Sequence, residues 1–228
     1  MLRVGLTGEL GSGKSTVARM LAERGALVLS SDEMGRALMQ PDRPAFGKIV
    51  AAFGQEVLSA DGTLDRKRLA ALAFDAQRPR VEELNAIIHP AVIEEQAIQM
   101  AELARAKPHA IVVVESALIF STQHGSIGGW RNRFDKVLMV TAPDEVKVER
   151  FIARIAAERT LTAEERAALS VDAWRRLQIQ QQTHCPDDVI LLHNDGDVDV
   201  LERQVDVVWQ QLREMEREGA EGQASIGG

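Results

Sequence analysis

The chain has 228 residues, of which 45% are hydrophobic and 27% charged, and this balance is ordinary for a globular protein. Its formal net charge of -7 excludes a general nucleic-acid binder, because affinity for a phosphate backbone needs a basic field. The single cysteine, Cys185, excludes an intrachain disulfide framework, and no apolar run approaches the ~20 residues that a membrane span requires.

The first predicted element is a buried strand from Leu2 to Thr7, which is apolar and starts almost at Met1. A strand in this position leaves no room for a secretory signal. Together with the lone cysteine, this predicts a cytoplasmic protein in a reducing compartment. We expect no nucleic-acid or membrane partner, and the sequence leaves the oligomeric state open.

A glycine-rich loop follows this strand and has the pattern Gly-x-x-x-x-Gly-Lys-Ser from Gly8 to Ser15. Glycines adopt backbone conformations closed to other residues, so successive amide groups can converge on phosphate oxygens. Lys14 adds a cation near the outer phosphates, and the Ser15 hydroxyl is placed to bind Mg²⁺. A predicted helix from Ser15 to Arg24 completes the context. The expected nucleotide-binding residues are Gly8, Gly11, Ser12, Gly13, Lys14, Ser15 and Thr16.

Four further apolar runs predict strands of the same sheet, since parallel strands buried on both faces have continuous apolar sequences. They are Ala26 to Leu29, Ala110 to Val114, Val137 to Thr141 and Val189 to Leu192. Helical patterns between most of them predict an α/β fold with a doubly wound, parallel, five-stranded sheet. The stretch from Asp32 to Lys107 has no convincing strand and predicts a helical insertion.

The segment from Asp144 to Gln182 predicts two helices that form a hinged lid. Thr162 and Glu165 have capping-box spacing at the break between them. An amphipathic helix is predicted from Val198 to Arg217, followed by a disordered tail. The predicted division is a nucleotide-binding core of residues 1–31, 108–143 and 186–217, an acceptor-side insertion of 32–107, a lid of 144–185 and a tail of 218–228.

Ligands lie at the carboxyl ends of the strands in open parallel sheets, so acidic residues just past the strands are candidates for chemistry. Asp32 follows the second strand and is a candidate base for an attacking hydroxyl, with an N-cap role as its alternative. Glu115 ends the third strand and is placed to orient Mg²⁺ through water. Arg150 and Arg154 share one helix face and are candidates to meet the charge of a transferring phosphoryl group.

His89 precedes Pro90 inside an otherwise helical stretch. Pro90 removes a helix hydrogen bond and disfavours helical geometry at His89, so we expect an exposed imidazole at a kink. A lone histidine is more often structural than a ligand. The residues alone leave both roles open.

Taken in chain order, these motifs resemble the dephospho-CoA kinase family from about Leu2 to Leu212. The stretch from Gly5 to Thr16 resembles the opening of that family closely, and weaker matches follow in the same order. They are Ser31-Asp32 with Arg36, Phe53-Gly54, Asp61 to Arg66 followed by Leu69, Leu84 before His89-Pro90, Arg150 with Arg154, Arg176-Leu177 with Gln180, and Asp187 to Ile190 with Asn194.

The resemblance implies a small-molecule kinase with a P-loop NTPase fold of the nucleoside-monophosphate-kinase-like type. It implies transfer of the ATP γ-phosphoryl, with Mg²⁺, to the ribose 3′-hydroxyl of dephospho-CoA, which gives CoA and ADP in the last step of CoA synthesis. Asp32 would be the catalytic base, with Lys14 and Arg154 as catalytic cations. The residues expected to bind substrate are Arg36, His89 and Glu115.

The sequence departs from the family pattern after the second strand and after the third. The family usually has an acidic residue where Ser30 stands, an aspartate at Glu115, and a Pro-Leu-Leu-Phe-Glu run where this chain has Ala117 to Ser121. Two alternatives therefore stay open. One is another phosphate-loop kinase, acting on a nucleoside monophosphate or a sugar acid, and the other is a regulatory module that binds ATP without efficient transfer.

Overall fold

The computed structural model describes residues 1–75, 77–120, 129–181 and 186–226, with side chains described up to residue 221. Within these ranges the chain forms five strands and eight α-helices and adds two short 3₁₀ helices, Gln55–Val57 and Trp130–Asn132. The elements are β1 (Leu2–Gly8), α1 (Lys14–Glu23), β2 (Leu27–Ser30), α2 (Ser31–Leu38), α3 (Pro44–Phe53), α4 (Arg66–Ala73), α5 (Val81–Ala106), β3 (Ile111–Glu115), β4 (Lys136–Thr141), α6 (Asp144–Ala156), α7 (Ala163–Gln181), β5 (Ile190–His193) and α8 (Val198–Ile226).

The five strands form one parallel sheet in the order β2-β3-β1-β4-β5. Its central strand, β1, pairs with β3 on one side, where Val4 lies opposite Val113, and with β4 on the other, where Leu6 lies opposite Leu138. Each strand lies within one residue of its predicted bounds. The predicted α/β fold with a five-stranded parallel sheet is therefore confirmed.

Helices α1 and α8 pack together against this sheet, and they bury the apolar faces that the sequence predicts. The buried residues are Val17, Met20 and Leu21 of α1 and Leu201, Val205, Val208 and Leu212 of α8. Helix α1 stops at Gly25, whose φ of 106° is left-handed. The Gly25 N–H bonds to the Ala22 carbonyl and the Ala26 N–H to the Leu21 carbonyl, which is a Schellman motif.

The chain divides into two compact units. The first comprises Met1–Leu29 with the described residues of Leu103–Ser121 and Gly129–Gly228, and the second comprises the described residues of Ser30–Glu102. The predicted lid helices α6 and α7 belong to the first unit, together with the sheet. The hinged lid stays a prediction, and its last residues, 182–185, lie outside the described ranges.

Apolar clusters join the helices of the second unit. The buried members are Ile49, Phe53, Val57, Leu69 and Ala73 in one cluster and Met34, Leu38, Ala45 and Val92 in the other. Helix α2 contacts α5 where Gln96 donates a hydrogen bond of 2.8 Å to the Ser31 hydroxyl. Gly35 of α2 approaches Ile88 and Val92 of α5. The predicted insertion is helical as expected, apart from one isolated antiparallel bridge between Leu58 and Leu64.

Helix α5 continues through Pro90, and His89 is half-buried within it. The prediction that the proline exposes the imidazole is therefore wrong. Ile87, Ile88 and Val92 on either side of Pro90 pack into the apolar clusters of the second unit. This packing outweighs the hydrogen bond that Pro90 cannot donate, because tertiary contacts supply most of the stability of a helix in a protein.

The last helix, α8, passes Arg217, where the sequence predicts its end, and continues to Ile226. The segment that was predicted as a disordered tail, 218–228, is therefore helical through Ile226, and residues 227–228 lie outside the described ranges. Glu218, Ala220 and Glu221 are good helix formers, which favours this extension. Among the described residues, no helix is long and apolar enough to cross a membrane.

We expect Leu138→Ala to lower the free energy of unfolding by about 2–5 kcal/mol, because Leu138 is fully buried in β4, beside the central strand β1. The matched control is Leu191→Ala on the neighbouring strand β5, where Leu191 is 49% exposed, with an expected change of about 0.5 kcal/mol or less. Urea denaturation at equilibrium measures both. Equal losses for the two variants would contradict the assigned core.

Candidate active site

The glycine-rich loop between β1 and α1 is shaped as an anion site. It leaves β1 at Gly8, and α1 begins at Lys14 after Gly13, whose φ of 97° lies in the left-handed region. The first turn of α1 has no acidic residue to offset its exposed amide groups and its dipole. A helix N-terminus of this kind attracts phosphate oxygens.

Each of the three loop glycines is too close to a neighbouring element to accept a side chain. A Cβ atom would collide with the carbonyl oxygens of Val140 and Lys147 and with Nδ2 of Asn194, at Gly8, Gly11 and Gly13 respectively. The glycines are therefore required by close approach as well as by backbone conformation.

Polar groups inside this cradle suit an oxygen-rich ligand. The Lys14 ammonium donates to the carbonyl oxygens of Gly8 and Glu9, at 2.9 and 3.2 Å. The Ser12 hydroxyl is fully buried and has no hydrogen-bond partner among the described residues. Buried hydroxyls are normally hydrogen-bonded, so this oxygen is an acceptor and donor available to a ligand. Thr16 stands in the first turn of α1, where its N–H donates to the Gly13 carbonyl at 3.0 Å.

Two predicted site residues from different elements meet beside the loop. The Ser15 hydroxyl, in the first turn of α1, donates a 2.8 Å hydrogen bond to Oε1 of Glu115, the last residue of β3. Hydroxyl and carboxylate oxygens are ligands that suit Mg²⁺. In the described part of the chain, no group of three or more His, Cys, Asp or Glu residues is arranged to hold a metal ion. Ser15 and Glu115 are the described residues beside the loop that could help to hold such a metal.

Asn194, at the end of the edge strand β5, holds the loop by a hydrogen bond. It follows β5 directly, is buried, and donates from Nδ2 to the Ser12 carbonyl at 2.8 Å. The Arg150 guanidinium of α6 holds Asn194 in turn, through its carbonyl at 2.8 Å and its Oδ1 at 3.3 Å. A further bond runs from the Leu10 N–H to Oε1 of Gln180 in α7, at 2.9 Å.

The two arginines expected to act together have different surroundings. Arg150 is half-buried and engaged with Asn194, whereas Arg154 is exposed, with its guanidinium 5.8 Å from the centroid of the Phe151 ring. Arg176 of α7 lies at the same distance from that ring and forms an ion pair with Asp172. Of the expected pair, Arg150 positions the loop and Arg154 presents its charge to solvent.

A buried lysine, which the sequence did not single out, lies against the loop. Lys147 of α6 forms ion pairs with Glu9 in the loop and with Asp144 at the start of α6. Burial alone would lower the pKa of the Lys147 ammonium, but its hydrogen bonds with Asp144 and Glu9 more than offset this and raise it. The bonds from Lys147 and Gln181 in turn lower the pKa of the Asp144 carboxyl. Lys147 is therefore charged throughout the physiological pH range.

The remaining predicted residues lie in the second unit. Asp32 and Arg36 are exposed on α2, four residues apart and so on one helix face, and His89 is on α5. The N-cap alternative for Asp32 is wrong, because the N-cap of α2 lies two residues before Asp32. Ser30 occupies the N-cap position, and its hydroxyl accepts a hydrogen bond from the Glu33 N–H at 3.3 Å.

Sequence reasoning missed Lys147 and noted Asn194 only through a family resemblance. A rule already applied to the first three strands would have found Asn194, since it is the first residue after β5. Lys147 offers no such signal. A lysine in an amphipathic helix rich in charged residues is ordinarily solvated, and only the packing of α6 on the loop places it inside.

Comparisons with known proteins agree on one family. A model of the family described as "Dephospho-CoA kinase" matches residues 2–199. The chain is 37% identical over 213 residues to the dephospho-CoA kinase of Moorella thermoacetica, with 93% of each chain covered. It is 38% identical over 214 residues to that of Thermobifida fusca, with 93% of this chain and 97% of the relative covered.

Solved structures agree with the fold. A crystal structure from Thermus thermophilus superposes with a TM-score of 0.64 at 28% identity, covering 92% of this chain and 97% of its own. A dephospho-CoA kinase from Campylobacter jejuni superposes with a TM-score of 0.61 at 20% identity, covering 93% and 97%, and at this identity shows the fold alone.

We expect Gly13→Ala to weaken ADP binding at least about 10-fold and to lower the free energy of unfolding by about 1–3 kcal/mol. Its φ of 97° is unfavourable for alanine, and the new methyl group would meet the Asn194 amide. Gly47→Ala, in the interior of α3, is the control and should stabilise slightly, because the added methyl group would meet no heavy atom within 4 Å outside the adjacent backbone of its own helix. Calorimetric titration and urea denaturation test both variants. Unchanged ADP affinity in Gly13→Ala would contradict the cradle.

Proposed function

The chain belongs to the dephospho-CoA kinase family, and we propose how its residues divide the work of phosphoryl transfer. The protein phosphorylates dephospho-CoA in CoA biosynthesis, with ATP as the phosphoryl donor. In our proposal the acceptor atom is the ribose 3′-hydroxyl, and the products are CoA and ADP. The observation that supports the donor side most directly is the phosphate cradle of Gly8 to Ser15, with Ser15 bonded to Glu115 at its edge.

The donor phosphates bind in the cradle. Backbone amides of the loop and of the first turn of α1 point at the phosphate oxygens, and the buried Ser12 hydroxyl adds a side-chain partner. The Lys14 ammonium exchanges its bonds with the Gly8 and Glu9 carbonyls for bonds with the outer phosphates. Because these donors are already oriented, little reorganisation is needed when charge develops in the transition state.

We propose that Ser15 binds Mg²⁺ directly and that Glu115 orients it through water, which are roles that suit their oxygen atoms. When bound there, Mg²⁺ supplies positive charge that neutralises the β- and γ-phosphates. In the absence of a nucleotide, the hydrogen bond between these two residues keeps the carboxylate and the hydroxyl side by side.

On the acceptor side, Asp32 accepts the proton of the 3′-hydroxyl as its oxygen attacks the γ-phosphorus, and ADP leaves. The capping of α2 by Ser30 supports this role, since it leaves the Asp32 carboxylate out of the cap. Arg36 lies on the same face of α2 as Asp32, and Arg36 and His89 bind the acceptor. Glu115 would act on the substrate indirectly, by helping to hold Mg²⁺.

Two cations meet the charge on the transferring phosphoryl group. Lys14 acts from the loop, and Arg154 acts from α6 when the lid, residues 144–185, closes over the nucleotide. The exposed guanidinium of Arg154 supports this, because its contact with the Phe151 ring leaves its donors available. We place the reaction in the cytoplasm, as the single cysteine suggests, with residues 32–107 forming the acceptor-side domain.

A panel of acceptors tests the substrate assignment. The protein is incubated with ATP, Mg²⁺ and, in turn, dephospho-CoA, a nucleoside monophosphate and a sugar acid, and ADP and the phosphorylated product are followed. We expect kcat/KM for dephospho-CoA to exceed the others by at least about 10³-fold, because an acceptor that cannot pair with the polar groups of the site loses their stabilisation of the transition state. Comparable turnover of another acceptor, or nucleotide binding without transfer, contradicts the assignment.

Asp32→Asn tests the base. The variant keeps the size of the side chain but cannot take up the proton, so we expect kcat to fall by roughly 10²-fold or more with the affinity for ATP nearly unchanged. Glu33→Gln is the matched control, since Glu33 is the next residue, also exposed, in the same helical turn. It should keep parental kcat. An unaltered kcat in Asp32→Asn would remove Asp32 from this role.

A further inference from the structure

The phosphate loop contains an acidic side chain, Glu9, that the charge of its ligand disfavours. Glu9 lies next to Gly8, inside the segment that cradles phosphates, and its own carbonyl oxygen accepts from the Lys14 ammonium. A carboxylate there repels a triphosphate, and the repulsion is strong because the environment has a low dielectric constant. The carboxylate also competes with the phosphates for the cations of the loop. The structure must therefore neutralise Glu9 or direct it away.

Lys147 does both. Its ammonium bonds to Oε2 of Glu9, and the side chains of the pair are only 3% and 12% exposed, respectively. The second carboxylate on Lys147, that of Asp144 at 2.7 Å, is 32% exposed and also accepts bonds from the Gln181 side chain. Glu9 is the more buried of the two acids, so it depends more on the lysine for compensation.

The backbone of Lys147 also limits the loop. Its carbonyl group and Cα lie so close to Gly11 that no side chain fits there. One residue of α6 thus contacts the loop at two points, by its ammonium at Glu9 and by its carbonyl at Gly11. The contacts continue through Asp144 and Gln181 to α7, while the next loop residue, Leu10, is bonded to Gln180.

We propose that Lys147 is a positioning residue for ATP: it neutralises Glu9 and holds that carboxylate away from the phosphates, so that the cradle keeps its affinity for a polyanion. It contacts Glu9 and Asp144 and acts through them, without a direct role in the chemical step. The inference rests on the proposed binding of ATP phosphates in this loop. Because Lys147 and Glu9 act as a pair, removal of the lysine alone weakens nucleotide binding, whereas removal of both charges leaves the affinity nearly unchanged.

A double-mutant cycle tests the pairing. In Lys147→Met we expect the Kd for ADP and the KM for ATP to rise about 10-fold or more, with kcat at saturating ATP within about threefold of the parent protein. In Glu9→Gln/Lys147→Met both constants should return to within about threefold of the parent. Glu9→Gln alone leaves a positive charge beside the loop, so the Kd for ADP should stay unchanged or fall.

Asp144→Asn is the matched control, because it removes the other carboxylate of Lys147 and keeps the pair with Glu9. Its Kd for ADP should stay within about twofold of the parent. A purely structural role of Lys147 would lower the melting temperature without the rescue by Glu9→Gln. If Lys147→Met fails to fold, Glu9→Gln alone tests the proposal. A rise in its Kd for ADP overturns the proposal, and an unchanged or lower Kd supports it.

Two other outcomes also overturn it. If the double variant binds ADP as weakly as Lys147→Met, the lysine acts on the phosphates or on the fold and not through Glu9. If Lys147→Met binds ADP like the parent, Glu9 needs no neutralisation. A parent protein that fails to bind ADP would instead refute the nucleotide assignment of the loop, so the two failures are distinguishable.

Discussion

The site depends on the lack of space around three glycines. Gly8, Gly11 and Gly13 are enclosed by atoms of other elements, so that a single methyl group at any of them would force the backbone to move. Because the loop cannot shift without displacing its neighbours, the orientation of its amide groups is fixed. This is a form of electrostatic preorganisation, in which the cost of aligning the donors is met during folding.

The order of the sheet explains which elements enclose the loop. Strand β1 is central, with β3 on one side and β4 and then β5 on the other. The carboxyl end of β3 supplies Glu115 to the serine at the start of α1. The opposite side supplies the Val140 carbonyl, Lys147 in the helix after β4, and Asn194 after β5. The loop is thus held from both sides by residues at or beyond the carboxyl ends of neighbouring strands, as an open parallel sheet favours.

In the proposed function, the contacts of the loop with α6 and α7 give these helices a role in nucleotide affinity. Glu9 and Leu10, adjacent in the loop, are bonded to Lys147 of α6 and Gln180 of α7. An apolar cluster that includes Val148, Phe151 and Leu177 packs the two helices together, with Leu10 against it. A movement of these helices would therefore be transmitted to the phosphate cradle through side chains that are already in contact.

Local patterns determined much of this protein. The five strands, the phosphate loop, the faces of α1 and α8, and the capping box at Thr162 all follow from signals within a few residues of each other, and the structure agrees with them. The cap of α2 is local, but the sequence offers both Ser30 and Asp32 for it, and the structure selects Ser30. Only the tertiary structure decided that α5 runs through Pro90 and that Lys147 is buried against Glu9. The reason is physical: propensity and periodicity act over one or two helical turns, whereas Glu9 and Lys147 are far apart in the chain and meet only because α6 packs on the loop.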